Sequence, residues 1–336
     1  MKATFLGTSA GKPSLHRNTT SIAIELDDSK YILIDCGEAT LHQIMRSNLK
    51  MSNLHSIYIT HLHGDHIFGL PGLLCSLNDC RDIDLNIYGP KGIKDFISVV
   101  KKSITNFTLN INEYSQSVVN VNQFNITINT YIIKACRVRH TVECYAYQII
   151  KQRKKPKINT EKLTPILEIY ATQIKKQGFK SAKNIMKSLI EGTKYNFTNP
   201  ASGNVFELNI TDYYISVPDF KIVIALDNYN CDQMKMEFQN ANILIHESTF
   251  CITNDMLKNE KDELTKKAIS FGHSTNLMAA INANDLFCKH LILTHFSNRY
   301  EFDNNKLKLE DKIINSTSQL FPNKIDLAYD FSEFKL

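Results

Sequence analysis

The segment with the clearest chemical meaning places three histidines and one aspartate directly after an apolar, β-branched run, residues 57–60. The four polar residues are His61, His63, Asp65 and His66, and a Gly/Pro turn follows them. Neutral imidazoles and carboxylates are the ligands that suit Zn²⁺ and similar ions. In an extended or tightly turned segment His61 and His63 point to the same side and can hold one metal ion. Asp65 and His66, beyond the turn, can reach a second, so the spacing predicts a dinuclear site.

The His-x-His-x-Asp-His pattern after an apolar strand resembles the signature of the metallo-β-lactamase superfamily. The sequence of residues 64–74, Gly-Asp-His-Ile-Phe-Gly-Leu-Pro-Gly-Leu-Leu, narrows the resemblance to the tRNase Z family of tRNA 3′-processing endoribonucleases. Further segments that resemble this family follow one another in the expected order: Gly7-Thr8, Arg17-Asn18-Thr19-Thr20-Ser21, Asp35-Cys36-Gly37-Glu38-Ala39-Thr40, Gly89-Pro90-Lys91-Gly92, Asp227-Asn228, His246-Glu247-Ser248-Thr249-Phe250, Gly272-His273-Ser274-Thr275 and Thr294-His295-Phe296-Ser297.

The resemblance implies three further metal ligands. His140 lies six residues before Ala146-Tyr147, where the family has a Gly-Tyr pair, and His295 ends the closing strand motif. Asp227 ends a buried-type strand, where a carboxylate is costly unless it is paired or bound to metal, and we interpret it as a bridging ligand. One Zn²⁺ would be held by His61, His63 and His140, and the other by Asp65, His66 and His295. The expected cofactor is two Zn²⁺ per subunit, with Mn²⁺ as the alternative.

Four residues near this centre have expected roles in catalysis or support. Asp65 can take the proton as the nucleophile forms, and His273 is the candidate general acid for the leaving 3′ oxygen. The alternative for His273 is a cap on the helix expected over residues 275–286. Asp35 is expected to brace the histidine loop, with a helix cap as the competing interpretation. His246 either orients His273 or the metal ligands, or packs in the core.

A basic segment interrupts the strand pattern in the middle of the chain. Residues 151–194 contain twelve Lys or Arg against three Glu, whereas the whole chain carries a net charge of +5. Such a patch is often only a solvated surface, but it also suits contact with a phosphate backbone. In short-form tRNase Z enzymes an arm at this position grips the tRNA elbow. We therefore interpret the segment as an inserted arm, with helices over 165–176 and 182–190, that binds tRNA through Arg153, Lys154, Lys155 and Lys157.

Composition indicates a globular protein. The 336 residues are 43% hydrophobic, no run approaches the length of a membrane span, and the first residues read as a strand rather than a targeting peptide. The eight cysteines are scattered without a Cys-x-x-Cys pair, which indicates reduced, mostly buried thiols rather than disulfides. We expect a cytoplasmic protein, or a nuclear one in a eukaryote, that has no membrane association.

The elements that must position these residues are strands followed by helices, with helices predicted over 41–47, 70–77 and 93–101. Two alternating runs of strands with following helices predict two facing mixed sheets with helices outside. That is the α/β fold of the metallo-β-lactamases, an αβ/βα four-layer sandwich with the metal ligands on loops at one edge. The predicted organisation is one domain over residues 1–336 with a protruding basic arm at about 151–194.

The resemblance implies a zinc-dependent endoribonuclease that removes the 3′ trailer from precursor tRNA. The cut would fall 3′ of the discriminator nucleotide, leaving a 3′-hydroxyl on the tRNA and a 5′-phosphate on the trailer. Family members of this length are homodimers in which the arm serves the partner's active site. Two alternatives stay open: a small-molecule phosphodiesterase or esterase with the same metal ligands, and a non-catalytic RNA-binding or scaffold subunit.

Overall fold

The structure, a computed structural model, describes residues 1–26, 29–80, 84–114, 126–128, 130–152, 157–215, 218–300 and 306–336. It divides the chain into two compact units. The first consists of Met1–Lys151 together with Phe220–Leu336, and the second is Gln152–Asp219. Every residue proposed above as a metal ligand or catalytic group belongs to the first unit.

Two mixed sheets, each of seven strands in the described residues, form the centre of the first unit. The strands in the described part of the chain are β1 (Lys2–Gly7), β2 (Ser9–Ala10), β3 (Ser21–Glu25), β4 (Tyr31–Ile34), β5 (Leu54–Tyr58), β6 (Leu85–Gly89), β7 (Leu109–Glu113), β8 (Ile126–Ile128), β9 (Tyr131–Arg139), β10 (Glu143–Lys151), β11 (Lys157–Ile158), β12 (Tyr195–Thr198), β13 (Val205–Leu208), β14 (Tyr214–Ile215), β15 (Phe220–Ala225), β16 (Ile243–Glu247), β17 (His290–Thr294), β18 (Phe296–Ser297), β19 (Lys324–Leu327) and β20 (Glu333–Lys335).

The two sheets are built in the same way. The first has the order β20-β1-β3-β4-β5-β6-β7, antiparallel as far as β4 and parallel beyond it. The second has the order β19-β17-β16-β15-β10-β9-β8, parallel as far as β15 and antiparallel beyond it. The C-terminal strands β19 and β20 each complete the edge of one sheet. The C-terminal segment, in which we found no family motif, therefore supplies one edge strand to each sheet.

Helices cover the outer faces of both sheets. The α-helices among the described residues are α1 (Thr40–Arg46), α2 (Gly64–Ile67), α3 (Leu70–Leu77), α4 (Ile93–Lys101), α5 (Thr160–Ile169), α6 (Ala171–Lys176), α7 (Ala182–Ile190), α8 (Asp232–Glu237), α9 (Lys258–Ser270), α10 (Asn276–Asp285) and α11 (Lys306–Ser318). The helices predicted over 41–47, 70–77, 93–101 and 182–190 are confirmed within one residue at each end.

The hydrophobic core has the three layers that a four-layer sandwich requires. One cluster joins the inner faces of the two sheets, for example Phe5 and Ile24 with Tyr147 and Ile224. A second packs α1, α3 and α4 on the first sheet, and a third packs α8, α10 and α11 on the second. Because β-strand side chains alternate between faces, each central strand contributes to two of these layers. The predicted αβ/βα four-layer fold is confirmed.

The second unit has its own small core, centred on Leu163, Ile174, Ile185 and Phe197. It extends beyond the predicted end near residue 194, to Asp219, because the hairpin of β12 and β13 contributes core residues. The prediction of one helix over 165–176 is wrong. The chain forms α5 and α6 with a break at Tyr170, whose buried ring stacks on Phe197 with 5.0 Å between ring centroids.

Two expectations from composition concern the whole chain. All eight cysteines are free, and all except Cys75 and Cys80 are buried, as predicted. Within the described residues, no helix combines the length and apolar character that crossing a membrane requires.

Candidate active site

The histidine loop follows β5 and contacts the turn that follows β4 very closely. The Cys36 N–H donates to the His66 carbonyl at 2.8 Å, and the Gly69 N–H donates to the Cys36 carbonyl at 2.9 Å. A Cβ atom on Gly69 would lie 2.0 Å from the Gly37 carbonyl oxygen, and one on Gly37 would lie 2.3 Å from the Asp65 carbonyl oxygen. Both positions therefore require glycine. Their close approach fixes the loop that contains the four clustered polar residues.

Asp35 contacts this loop from the core through three hydrogen bonds. Its fully buried carboxylate accepts the Thr60 N–H, the Thr60 hydroxyl and the His66 Nδ1–H, each at 2.7 Å. The Asp35 backbone has φ 58°, a left-handed conformation that is unfavourable for a residue with a Cβ. The competing interpretation as a helix cap does not fit, because α1 begins after Ala39 and no side chain caps it.

Four of the histidines share one arrangement, in which Nδ1 contacts a protein group and Nε2 points toward the centre of the site. A hydrogen bond to the outer nitrogen fixes the ring and its tautomer and leaves the inner nitrogen available for a metal ion. The outer contacts are His61 to Thr60 Oγ1 at 3.0 Å, His66 to Asp35 at 2.7 Å, His140 to the Gly272 carbonyl at 2.7 Å and His295 to Thr249 Oγ1 at 3.0 Å.

Asp227 lies where the inner nitrogens converge. Its Oδ2 is 3.7 Å from both His61 Nε2 and His140 Nε2, and its Oδ1 is 3.2 Å from His66 Nε2 and 3.1 Å from His295 Nε2. The two oxygens of one carboxylate thus face two different histidine groups. His63 completes the first group, with its Nδ1 3.0 Å from His61 Nε2 and 3.2 Å from His140 Nε2.

Asp65 completes the second group. Its Oδ2 is 3.4 Å from His66 Nε2 and 3.6 Å from His295 Nε2, and it also accepts the Gly11 N–H at 2.7 Å. Within each group, ligand atoms lie within 4.8 Å of one another, and a third set of this kind joins His273 to Asp227 and His295. The structure therefore brings together all seven residues predicted as metal ligands.

The inner atoms of the site need a partner that is not a protein group. His66 Nε2, His295 Nε2 and Asp227 Oδ1 are fully buried, and none makes a hydrogen bond with a described residue. Buried polar atoms are rarely left in this state, because an unsatisfied donor or acceptor costs about 1–3 kcal/mol. A cation bound by His66, His295 and Asp227 Oδ1 would satisfy all three atoms.

The electrostatics of the site also suit a cation. Burial lowers the pKa of His61 well below its ordinary value, so the ring stays neutral and its lone pair is available. Although burial alone would raise the pKa of Asp227, His295 and His66 lower it well below its usual range. At His66 the effect of burial is outweighed by Asp65 and the other carboxylates, which raise its pKa well above its ordinary value and so favour a positive charge, a proton or a metal ion, at this point of the site. The residues therefore fit a dinuclear metal site.

His273 contacts a carboxylate that we did not single out from the sequence. Its Nδ1 lies 3.3 Å from Oε2 of Glu247, which is buried at the end of β16. That carboxylate also accepts the Asn228 N–H at 2.6 Å and the Thr249 hydroxyl at 2.5 Å. Although burial works in the opposite direction, Glu247 raises the pKa of His273 to about 9. His273 does not cap α10, because the capping side chain there is Thr275, whose Oγ1 accepts the Met278 N–H at 3.2 Å.

His246 lies beneath the site. Its Nδ1 donates to the Glu247 carbonyl at 2.8 Å, and its Nε2 lies 3.0 Å from Asn282 Nδ2 and 3.4 Å from Asn228 Nδ2. The ring is fully buried, and burial lowers its pKa. Of the roles considered, packing with support for the loops beside Asp227 and Glu247 agrees best with these contacts.

Two cavities open beside the metal-ligand cluster. One, of about 340 Å³, is lined by His273, Thr249, Phe250, Phe271 and Arg299 among others. The other, of about 450 Å³, is lined by His140 and by residues at the end of β9 and in the segment Tyr229–Gln233.

The residues predicted to bind tRNA are only partly described. Arg153, Lys154 and Lys155 lie outside the described residues, and Lys157 is an exposed residue of β11. The structure describes six other exposed lysines in the second unit: Lys162, Lys175, Lys176, Lys180, Lys187 and Lys194.

Comparison with curated proteins identifies the family. The chain is 36% identical over 345 residues to ribonuclease Z of Listeria monocytogenes serovar 1/2a, covering 100% of this chain and 99% of the relative. It is 34% identical over 345 residues to ribonuclease BN of Proteus mirabilis, covering 100% of both proteins. The chain belongs to the ribonuclease Z family. It is therefore an endoribonuclease, and the tRNase Z resemblance found in its motifs is confirmed.

Solved structures agree with this family. The short form of human tRNase Z matches with a TM-score of 0.64 and 25% identity, covering 100% of this chain and 99% of the human one. The metallo-β-lactamase-fold protein YhfI from Bacillus subtilis matches with a TM-score of 0.62 at 18% identity, which supports the fold alone. A family model described as the anti-Pycsar protein Apyc1 matches residues 1–156. Together with the His/Asp cluster, the ribonuclease Z fold indicates a metal-dependent enzyme.

Proposed function

We propose that this protein is a zinc-dependent endoribonuclease that removes the 3′ trailer from precursor tRNA. It cuts 3′ of the discriminator nucleotide and leaves a 3′-hydroxyl on the tRNA and a 5′-phosphate on the trailer. The main support is the convergence of seven imidazole and carboxylate groups beside the pair formed by the half-buried His273 and the buried Glu247. The name of the human relative, tRNase Z, supports tRNA as the substrate.

The two oxygens of the Asp227 carboxylate face two different histidine groups, and this suggests how the ligands are divided between two metal ions. His61, His63 and His140 would hold one ion, Asp65, His66 and His295 would hold the other, and Asp227 would serve both. Zn²⁺, or Mn²⁺ as the alternative, would supply Lewis acidity at these ligands, which would lower the pKa of water toward neutrality and offset charge on the phosphate oxygens.

Two residues of the chain move protons. Asp65 accepts the proton of the attacking water, and its position for this task is held by the Gly11 N–H at 2.7 Å. His273 donates a proton to the departing 3′ oxygen of the tRNA. Its pKa, raised to about 9 chiefly by Glu247, keeps it protonated at neutral pH, which a general acid requires. Glu247 is a positioning residue: it holds the ring of His273 and keeps it protonated.

The second unit, including Arg153, Lys154, Lys155 and Lys157, contacts the body of the tRNA. The support for this assignment is its exposed lysines, which suit a phosphate backbone. It also folds around its own core and can present those charges in a fixed arrangement.

We include a homodimer in the proposal. The helical layer on the first sheet exposes several large apolar side chains, with Met45 67%, Phe68 62% and Val99 75% exposed. A contiguous exposed apolar patch marks a protein interface, and these side chains on one layer are the candidates for such a patch. Sedimentation equilibrium of the full chain tests this part: a mass of one chain at micromolar concentration would reject it.

The experiment that tests the function maps the cut on a 5′-labelled precursor tRNA, with and without a chelator. We expect one cut 3′ of the discriminator that disappears with the chelator and returns with Zn²⁺. Hydrolysis of bis-p-nitrophenyl phosphate is measured beside it. An enzyme that hydrolyses the small diester but leaves the precursor intact would be a small-molecule phosphodiesterase, and the proposal would be rejected.

A further inference from the structure

The cavity of about 450 Å³ beside His140 has no role in the mechanism above. Its wall contains Arg137 and Arg139 from the end of β9, with Tyr229 and Asn230 from the loop after Asp227. This volume is within the range of small-ligand sites and suits a nucleoside. The cavity is therefore adjacent to the metal centre and lined by residues that can contact a nucleic acid.

The two arginines are unusual in this chain, which contains 32 lysines and only seven arginines. The other three described arginines, Arg17, Arg46 and Arg299, each donate a hydrogen bond to a protein group. By contrast, the exposed guanidinium groups of Arg137 and Arg139 make no hydrogen bond or ion pair with a described residue. Guanidinium is the side chain best suited to bidentate contact with phosphate oxygens. The pair is thus available to an anionic ligand.

The backbone beside these arginines is held firmly. The Arg139 N–H donates to the Asn230 carbonyl at 2.9 Å, and the Tyr229 N–H donates to the Arg139 carbonyl at 2.9 Å. The one carboxylate of the wall, Asp232, is neutralised within the protein: Asn230 Nδ2 donates to it at 2.7 Å, and Lys235 Nζ lies 3.0 Å away. The wall is therefore fixed before binding and positively charged.

The direction of the substrate follows from the position of the general acid. When the cut leaves a 3′-hydroxyl, the departing oxygen belongs to the nucleotide upstream of the scissile phosphate. His273, which protonates that oxygen, lines the other cavity, with Thr249 and Phe250. The upstream nucleoside therefore occupies the cavity beside His273. The RNA strand downstream of the cut therefore occupies the cavity beside His140, whose wall contains the two arginines.

We propose that the cavity beside His140 binds the first nucleotides of the 3′ trailer, and that Arg137 and Arg139 contact trailer phosphates downstream of the cut. The assignment rests on the proposed function and adds the path of the leaving strand. Residues two apart on a strand point to the same face and lie about 6.6 Å apart along it. That spacing suits successive phosphates of a single strand.

The test is the trailer-length dependence of cleavage by the full-length enzyme and its R137Q/R139Q variant. Precursors carry a trailer of one nucleotide or of four. A one-nucleotide trailer has no phosphate beyond the scissile one, so the variant should cleave it as the wild type does. With four nucleotides the variant should lose about tenfold or more in kcat/KM. The slope of log kcat/KM against the logarithm of the salt concentration should become less steep by up to about 1.4, because each single-strand phosphate contact contributes about 0.7.

Lys101 and Lys102, exposed at the end of α4, provide the matched control, because K101Q/K102Q also removes two positive charges. This control should not change the trailer-length dependence. A second measurement needs no variant: methylphosphonate at the linkage after the first trailer nucleotide should lower kcat/KM of the wild type by a similar factor.

The outcomes separate the two claims. The trailer assignment would be overturned if the R137Q/R139Q variant lost the same factor in kcat/KM on both trailers. It would also be overturned if the variant lost nothing on either trailer and the methylphosphonate had no effect. In both cases the proposed function would stay intact. A wild type that cleaves neither precursor would overturn the proposed function and the trailer assignment with it.

Discussion

Replacing Glu247 with glutamine should slow cleavage of precursor tRNA by about 10- to 150-fold. Asp227 Oδ2 lies 3.6 Å from His273 Nδ1, but both Asp227 oxygens also face the proposed metal ligands, so Glu247, at 3.3 Å, is the main carboxylate that stabilises the protonated ring of His273. A hydrogen bond to a charged group contributes about 1.5–3 kcal/mol. At about 1.4 kcal/mol per factor of ten in rate, this energy corresponds to the expected loss. Glutamine keeps the size of the side chain and can still accept the Asn228 N–H.

The pH dependence of kcat on precursor tRNA is the sharper readout. A general acid works while it is protonated, so the rate should fall as pH rises through the pKa of His273, which Glu247 raises to about 9. Without the Glu247 charge that pKa is lower, and the alkaline fall in rate should begin at lower pH. Cleavage of a diester with a p-nitrophenolate leaving group should change little, because that anion departs without a proton.

A second histidine–carboxylate pair provides the control. Oδ2 of Asp326 on β19 lies 2.7 Å from Nε2 of His290 on β17, and neither residue belongs to the site. Asp326→Asn should leave kcat and its pH profile unchanged. If Glu247→Gln also left both unchanged on precursor tRNA, the role of His273 as a general acid held by Glu247 would be refuted.

Three further predictions concern His273, Asp35 and the lysines of the second unit. His273→Ala should retain two metal ions by elemental analysis but lose about 10²–10⁴-fold in kcat on precursor tRNA; loss of a metal ion would indicate a ligand instead. Asp35→Asn should weaken metal binding about 10- to 100-fold in a chelator competition, because the ring of His66 loses its brace; unchanged affinity would contradict this. Changing Lys175, Lys176 and Lys187 together to glutamine should raise KM for precursor tRNA and spare hydrolysis of the small diester, whereas equal losses on both substrates would argue against a tRNA-binding role.

Four of the proposed metal ligands could be predicted from a dense local motif, whereas His140 and His295 were predicted through the resemblance to a known family. His61 to His66 fall within one loop, and the strand that ends at Asp227 identifies a buried carboxylate. Glu247 was missed because its role depends on a contact with His273, 26 residues later in the chain. A signal was present, since Glu247 is a charged residue at the end of the apolar strand β16, where burial without a partner is costly.

The arm shows where local patterns are insufficient. Pro165 was interpreted as a helix start, but α5 begins at Thr160, where the Asn159 side chain accepts the Lys162 N–H at 3.0 Å. The break at Tyr170 depends on stacking against Phe197, a partner 27 residues away in the sequence that periodicity does not reveal. The end of the unit was placed too early for the same reason, because β12 and β13 belong to its core through long-range contacts.

The most direct test of the central claim is titration of the metal-stripped enzyme with Zn²⁺ while cleavage of a precursor tRNA is followed and mapped. We predict that the cut 3′ of the discriminator reaches its full rate only when two equivalents per chain are bound. The tRNA product should carry a 3′-hydroxyl and the trailer a 5′-phosphate. Full activity of the stripped enzyme, saturation at one equivalent, or a cut at another position would contradict the account.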